Sequence, residues 1–531
     1  MQYRKGKDRG QVFMSSLEEM VEEDSFARII DLFVDALPLD DLGFKHSSLN
    51  RQGNEPYHPS DLLKLLINGQ RNGIRSANKL HVATKINLEM IRLRRASDGQ
   101  VWLLKGLQPS ARTICYFRSN NNTAIKKAHR HFVKKLKKWH LIDGTILALD
   151  STKVRGQNSL KNNFNQKKID RHLEYLENRI EEYLDQLDDV EDKPRRQKKR
   201  NEVLDKIQQA EQRIDHYKVL QDQVNQSTDG QISTTDPDAR AVIKHRNIVE
   251  VGYNIQTTVD AKHHMIVDTF AGGVTDRGDL GRAAKRSQDL LKEDKIDLLA
   301  DKGYHNGADI AYCERKGIRT WIPPSRKHHQ KPVGFRKTDF AYDAASDIYI
   351  CPDGQTMEVE LLFKKRNNRR NYRVKRYSTP MCTGCPLRKQ CTTSPLGRKI
   401  ERPNHQPHVE RNDARVQRYP DFYRMRQQIV EPIFGVWKRQ WHFDHLILKR
   451  RENIEAEVSL AALTYNLMRL LAVRGTQWVK TKLEASVFFQ LHILIYHKMS
   501  QMVNRILKIM TTRSLIYLYT ILNCALRHVV A

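Results

Sequence analysis

The chain is short of several things, and each shortage excludes something. Cysteine is scarce, seven in 531 residues, which rules out the disulfide scaffolds of short secreted domains. No uninterrupted apolar stretch of 18 residues occurs. The longest apolar runs, near 487–496 and 515–526, contain His or Asn and fall short of the ~20 residues that span a bilayer. The first residues, Met-Gln-Tyr-Arg-Lys-Gly-Lys-Asp-Arg, lack the apolar core of a secretory signal. A cytoplasmic protein with no membrane partner is expected. Acid is scarce relative to base, 62 Asp+Glu against 92 Lys+Arg, a net charge of +30. Such an excess favours polyanionic partners, nucleic acid first. The length allows three or four domains at ~150 residues each.

What is present begins with helices. Residues 1–140 read as an all-α domain. Ser60 is placed to cap a helix begun by Asp61, with Leu62, Leu63, Leu65 and Leu66 as its apolar side. Gly69 and Gly73 are expected to end it. A short helix follows over 75–82, and Ser110 caps a third through Ile114 and Phe117. Short helices across a glycine turn fit a helix-turn-helix DNA-binding unit. The segment 126–139 is basic on one side, with Ala128, Phe132, Leu136 and Trp139 on the other. It reads either as a phosphate-contacting helix or as a solvated surface helix.

An α/β domain is expected over 141–475. Residues 146–149 form an apolar strand run reaching Asp150, which Thr152 and Val154 can prolong. Residues 167–226 carry a heptad seam, Ile169, Leu173, Leu176, Ile180, Tyr183 and Leu187, broken near Pro194. A second seam follows at Leu204, Ile207, Ile214, Tyr217 and Val224. The pair reads as an inserted antiparallel helical hairpin, or as a free dimerisation arm. Strands are expected over 249–260, 265–270, 296–300 (closing at Asp301) and 320–322, with helices over 280–292 and 308–316. Strands followed by helices indicate a mixed sheet with flanking helices. Residues 331–420 read as a basic, irregular insertion. Ile454, Val458, Ala461, Tyr465 and Met468 form a helix face that should pack on the sheet. Residues 476–531 read as a helical tail.

The chemistry gathers on acids. Asp150 and Asp301 close strand runs, where α/β folds place their sites. Glu431 lies in a helical stretch with Pro432 as its start or its bend. Glu431 and Lys438 stand seven residues apart, so on a continuous helix they share one face to within about 20°. Such a face could hold a divalent metal at one end and a phosphate at the other. Three carboxylates from separate elements suit a pair of hard cations acting on a phosphodiester. Four cysteines also gather, Cys351, Cys382, Cys385 and Cys391. They have the ligand count of a structural zinc site, or are reduced buried thiols. Cys115, Cys313 and Cys524 stand alone and are expected to be core thiols.

Several phrases carry a resemblance over about residues 50–475. They are Tyr57-His58-Pro59-Ser60-Asp61-Leu62-Leu63-Lys64, Gly73-Ile74-Arg75-Ser76, Asp150-Ser151-Thr152-Lys153 and Asp236-Pro237-Asp238-Ala239-Arg240. Further on come Gly252-Tyr253-Asn254-Ile255-Gln256, Ala300-Asp301-Lys302-Gly303-Tyr304, Val430-Glu431-Pro432-Ile433-Phe434-Gly435 and Ser459-Leu460-Ala461-Ala462-Leu463-Thr464-Tyr465-Asn466-Leu467. Together they resemble bacterial insertion-sequence transposases of the DDE class, the group with a helical insertion after the first Asp.

The resemblance implies a ribonuclease-H-like catalytic domain in which Asp150, Asp301 and Glu431 bind Mg²⁺ or Mn²⁺. Tyr423, Arg426, Glu431 and Lys438 look like the family's Tyr-Arg-Glu-Lys signature, with four residues between Arg426 and Glu431 where three are usual. Lys302, Lys438 and Arg439 would position DNA backbone. Asp143 also fits the first-acid phrase, but Lys153 and Asn158-Ser159 follow Asp150 as the family pattern wants. Asp276 either acts near the site or caps a helix. The implied activity is cleavage of an element's terminal inverted repeats and joining of 3′-hydroxyl ends to target DNA, by a homo-oligomer at the nucleoid. The alternatives are an inactive, element-derived DNA-binding protein and a metal-dependent nuclease of the same fold.

Overall fold

Leu62, Leu63, Leu65, Leu66 and Ile67 are buried along a single helix, and the first unit of the molecule is built around it. The computed structural model describes residues 18–48, 55–85, 102–188, 197–227, 229–245, 248–324, 334–367 and 370–488, with Met499 and Met502. Pro194, Cys524 and most of the expected tail lie outside these residues. The chain divides into a unit of residues 1–124 with 470–531 and a unit of residues 125–469.

In the first unit the described elements are helices: α1 (Phe26–Asp35), α2 (Leu39–Leu42), α3 (Pro59–Arg71), α4 (Ala77–Lys85) and α5 (Ala111–Asn120). α3 begins at Pro59, earlier than expected, and its cap is His58, whose Nδ1 accepts from the Ser60 amide at 3.3 Å. Proline suits that first position because its missing N–H would have no helical partner there. Gly69 does not end the helix. It lies inside, where a Cβ would come within 2.5 Å of Leu80 Cδ2 and 2.7 Å of the Ile74 carbonyl oxygen, so it is the contact point for α4. Gly73, at φ +69°, makes the turn that follows. Ser110 does cap α5, its Oγ accepting from the Thr113 amide at 3.1 Å. Cys115 is exposed, not a core thiol, because it faces away from buried Ile114 and Phe117. Lys64 is buried within α3 and reaches Asp31 at 2.6 Å and Asp35 at 2.7 Å on α1.

Nearly all of α6 (Asn122–Lys138) belongs to the second unit; it buries Ala128, Phe132 and Leu136 and leaves Lys134 and Lys138 exposed. Next come β1 (Ile146–Arg155), β2 (Asn163–Asn165), α7 (Gln166–Asp188), α8 (Gln197–Gln226) and β3 (Gln231–Ser233). After them follow β4 (Arg240–His245), β5 (Ile248–Asp260), β6 (Ile266–Ala271), α9 (Leu280–Leu291), β7 (Ile296–Ala300), α10 (Gly307–Arg315) and β8 (Ile318–Trp321). The main sheet is a mixed, six-stranded one in the order β4-β5-β1-β7-β8, with β6 also on β5. β1 runs antiparallel to β5 and parallel to β7, and β7 runs parallel to β8. Leu147, Ala148, Leu149, Leu298, Leu299 and Ala300 are all fully buried, as strands covered on both faces must be. The fold is mixed α/β.

α7 and α8 form an antiparallel hairpin. Ile169, early in α7, meets Leu220 and Val224, late in α8, over Phe164 and Ile232 of the β2/β3 pair. Farther out the seam opens, and Leu184 and Leu204 are exposed.

The stretch read as irregular is instead a five-stranded antiparallel sheet: β9 (Ala341–Asp343), β10 (Ile348–Ile350), β11 (Thr356–Asn367), β12 (Arg370–Ser378) and β13 (Ile400–Pro403). Its core is small, comprising Phe340, Tyr349, Met357, Tyr377 and Ile400. Charged residues at nine of the 21 positions of β11 and β12 hide the two-residue alternation that marks a strand.

The unit ends with α11 (Gln406–Arg418), α12 (Pro420–Gly435), a π-helical turn over Val436–Gln440 and α13 (Arg451–Arg474). Ile454, Val458, Ala461, Tyr465 and Met468 of α13 pack against Tyr253, Ile255, Val259 and Trp437. α13 is also long and apolar enough to cross a membrane, but 72% of its apolar window is buried inside the protein.

Candidate active site at the ends of two parallel strands

β1 and β7 pair in parallel with Leu149 beside Ala300. One residue later, Asp150 and Asp301 therefore stand side by side at the same end of the sheet. Asp143 lies ahead of β1, at the opposite end, where it is exposed and bonded to Lys262 Nζ at 2.8 Å. The geometry puts Asp150, not Asp143, next to Asp301.

Each aspartate is locally fixed. Asp150 Oδ1 accepts from the Ser151 amide at 2.7 Å, and Asp301 Oδ1 accepts from the Lys302 amide at 2.7 Å. Asp150 Oδ2 accepts from Arg426 Nη1 at 2.7 Å. Burial pushes the Asp150 carboxyl up, Arg426 pulls it down, and neighbouring Asp301 pushes it up again. Two carboxylates sharing a partly desolvated corner favour a bound cation, and here a guanidinium supplies part of that charge.

A polar chain runs behind this pair. Asp276, in the loop between β6 and α9, accepts on one oxygen from Ser151 Oγ at 2.6 Å, Asn254 Nδ2 at 2.8 Å and Gln256 Nε2 at 3.1 Å. Gln256 Oε1 accepts from the buried Tyr304 hydroxyl at 2.5 Å. A Cβ at Gly303 would lie 3.2 Å from the other oxygen of Asp276, so the turn after Asp301 folds directly over this carboxylate. Asp276 does not cap α9; that position belongs to Asp279. The sequence did carry a signal for Asn254 and Gln256. They are polar side chains two residues apart on a strand, fully or almost fully buried, and so share one face among apolar neighbours.

α12 runs unbroken through Pro432, and the interruption comes just after it as the π turn. Arg426, Ile429, Val430 and Ile433 form its buried side. Tyr423 is half-buried against Leu299 and Trp321, and its hydroxyl bonds to Arg426 within reach of Asp301 and Asp150. Burial pushes the Tyr423 phenol up. Glu431 lies five residues past Arg426, about 140° around the helix, and is exposed. With Gln427, Phe434 and Lys438 it lines one surface groove, so Glu431 and Lys438 do share a face. Partial desolvation and then Lys244 push the Lys438 ammonium down, while Asp150 opposes them. The Lys302 side chain is exposed.

Asp150, Asp301, Arg426 and Tyr423 thus come together, and Lys438 lies within electrostatic reach. Glu431 is not at ligand distance with the aspartates, because no three His, Cys, Asp or Glu side chains among the described residues stand in metal-ligating geometry. The donors present are still the hard carboxylate oxygens that Mg²⁺ takes.

Two segments of the chain match family models. Residues 350–471 match "Transposase DDE domain" and residues 15–120 match "Transposase domain (DUF772)". Glu431 and Lys438 fall inside the first match, while Asp150 and Asp301 fall outside both. No curated protein matches the chain. Among solved structures, the cryo-EM structure of the piggyBac transposase synaptic complex with hairpin DNA aligns with 88% of this chain and 84% of that one, at 10% identity and a TM-score of 0.22. That likeness is too slight to bear on fold or mechanism. By the two family matches, residues 15–120 and 350–471 are similar to transposase domains, the second of them of the DDE class.

Proposed function

We propose that this chain is a transposase that cuts the terminal inverted repeats of a bacterial insertion element and joins the 3′-hydroxyl ends to target DNA by in-line phosphoryl transfer in a ribonuclease-H-like domain. The observation that carries the reading is the juxtaposition of Asp150 and Asp301 by the β1–β7 register. The order β6-β5-β1-β7-β8, with the first three antiparallel and the last two parallel to β1, fits that fold.

Asp150 and Asp301 would hold Mg²⁺ or Mn²⁺; Glu431, exposed and away from the pair here, would have to reach them from its face of α12 to serve as the third carboxylate. Bound divalent metal supplies an activated oxygen nucleophile and neutralises charge on the leaving oxygen. The protein's own groups do the rest. Ser151, Asn254 and Gln256 fix Asp276, which braces the Lys302–Tyr304 turn and so keeps Asp301 facing Asp150. Arg426 balances Asp150 until the cation arrives. Lys302, Lys438 and Arg439 contact phosphates and set the position of the duplex without reading bases. The net charge of +30 supports a polyanionic partner, with affinity that falls steeply with salt. Two ends must be paired, so a homo-oligomer on DNA is part of the proposal, and the exposed Leu184 and Leu204 of the hairpin offer contact area.

The test is strand cleavage on DNA carrying the element's ends, with Mg²⁺. Asp301→Asn should abolish new 3′ ends and leave gel retardation of the same DNA intact. If wild type retards DNA but never cuts it, the chain is a DNA-binding protein and the catalytic reading fails.

A further inference from the structure

Four thiols from separate turns of the second sheet converge on one small cavity that the transfer chemistry does not use. We propose that Cys351, Cys382, Cys385 and Cys391 bind a single structural zinc ion that holds the β9–β13 module together.

Cys351 follows β10, Cys382 lies in a short 3₁₀ turn (Pro380–Thr383), Cys385 in the next turn, and Cys391 closes a short helix (Arg388–Cys391). All four line a cavity of about 20 Å³, with Phe340 and Met357 of the module's core beside them. That volume holds about one water-sized sphere, the size suited to an ion and not to an organic ligand. Cys391 is within electrostatic reach of the other three, and none of the four is in a disulfide.

Local contacts fix the backbone around the thiols. Cys351 begins a tight turn whose Gly354 amide donates to the Cys351 carbonyl at 2.8 Å. The Leu387 amide donates to the Cys385 sulfur, and the same thiol bonds to Asp353, outer contacts that orient the side chain. Arg388 ties the loop by donating to the carbonyls of Cys382 at 3.2 Å and Pro395 at 2.9 Å. Gly397 is required where it stands, because a Cβ there would lie 2.8 Å from Cys382 Cβ. The thiols are not drawn into a closed tetrahedron, since no three potential ligands among the described residues meet at chelating distance. For zinc to bind, the four side chains must turn into the shared cavity.

The module also needs such a clamp. Its hydrophobic core has five buried residues, and β11 and β12 carry Lys364, Lys365, Arg373, Lys375 and Arg376. Lys365 and Arg376 pair with Glu401 and Lys375 with Asp347, but a sheet with so little apolar burial is still the kind of small module that metals or disulfides staple. Four thiolates offer Zn²⁺ a soft, tetrahedral ligand set.

The experiment uses the full chain, purified under reducing conditions, and no DNA, so its failure would leave the transposase reading untouched. Metal analysis should find about one zinc per chain, the stoichiometry of one S₄ site. Cobalt replacement should give the intense charge-transfer and visible bands of tetrahedral thiolate coordination. Alkylation followed by peptide mass spectrometry should show the four cysteines slowed by zinc at least ~10-fold relative to chelator-treated protein, with Cys115 unchanged. Cys385→Ser should lose the zinc. Should that variant fail to fold, the alkylation of wild type still decides. Equal alkylation with and without zinc, or disulfides joining these cysteines in protein kept reduced, would overturn the proposal.

Discussion

Arg426 Nη1 donates to Asp150 Oδ2 at 2.7 Å across 276 residues of sequence. Both side chains are largely buried, 9% and 22% exposed, so the guanidinium acts as a resident counter-charge. Its removal in Arg426→Ala leaves a desolvated carboxylate beside Asp301. Breaking a pair of this burial should cost about 2 kcal/mol in metal-free protein. Divalent metal should restore more of the melting temperature in the variant than in wild type, because it fills the place that the arginine holds. Thermal unfolding with and without Mg²⁺ measures both. A variant as stable as wild type and indifferent to Mg²⁺ would mean that the pair does not guard a cation site.

Asp276 can be tested by keeping its shape and removing its charge. One oxygen takes all three donors, Ser151, Asn254 and Gln256, and Asn in the same rotamer can still accept them. Asp276→Asn should therefore melt within about 3 °C of wild type, a change under 1 kcal/mol. Cleavage should fall ~10-fold or more, because the second oxygen faces the turn that carries Asp301 and its charge belongs to the site's field. Unchanged cleavage would reduce Asp276 to a hydrogen-bond acceptor.

How much of this was legible in the sequence differs from element to element. The strands bearing Asp150 and Asp301 were readable because they are buried on both faces and appear as plain apolar runs. The α13 face was readable because Ile454, Val458, Ala461, Tyr465 and Met468 keep helical spacing. The β9–β13 sheet was not, since lysines and arginines mask its alternation and its core cluster is small. The cap at His58 was missed because an imidazole seldom takes that place and Ser60 is the commoner choice. Nor could spacing tell that Arg426 would turn inward. The extra residue before Glu431 sets the two about 140° apart, so only the packing of Ile429, Val430 and Ile433 decides which one faces the sheet.

His129 gives a stability signature in acid. It is buried on α6 near Asp268, Arg130 and Arg286, with a hydrogen bond to the Ile266 backbone, and burial pushes its imidazole from 6.5 down to about 4. The unfolded chain binds a proton at this position below pH 6.5, whereas the folded chain does not until near pH 4. Stability therefore falls as pH drops through that window, by up to about 1.4 kcal/mol per unit. His129→Leu removes the term. Urea titrations at pH 4.5, 5.5 and 6.5 should give the variant a shallower loss than wild type, by ~1 kcal/mol per unit, whatever its absolute stability. Parallel pH slopes would show that the imidazole is not held neutral.

Lys302 and Lys438 should separate phosphate contact from catalysis. Both side chains are exposed, so each Lys→Ala change should leave melting unaffected to within about 0.5 kcal/mol. If each contacts one phosphate, each loss should flatten the plot of log affinity against log salt by about 0.9, and affinity should drop equally for terminal-repeat and unrelated DNA. Lys438 should also slow cleavage, because it lies within reach of Asp150. Lys302 shares the loop of Asp301 but leaves that carboxylate's amide contact intact, since the bond is from its backbone N–H. Retardation assays over a salt series give the slopes, and cleavage at saturating DNA gives the rates. A salt slope unchanged in both variants would place the DNA elsewhere on the surface and detach these lysines from the site.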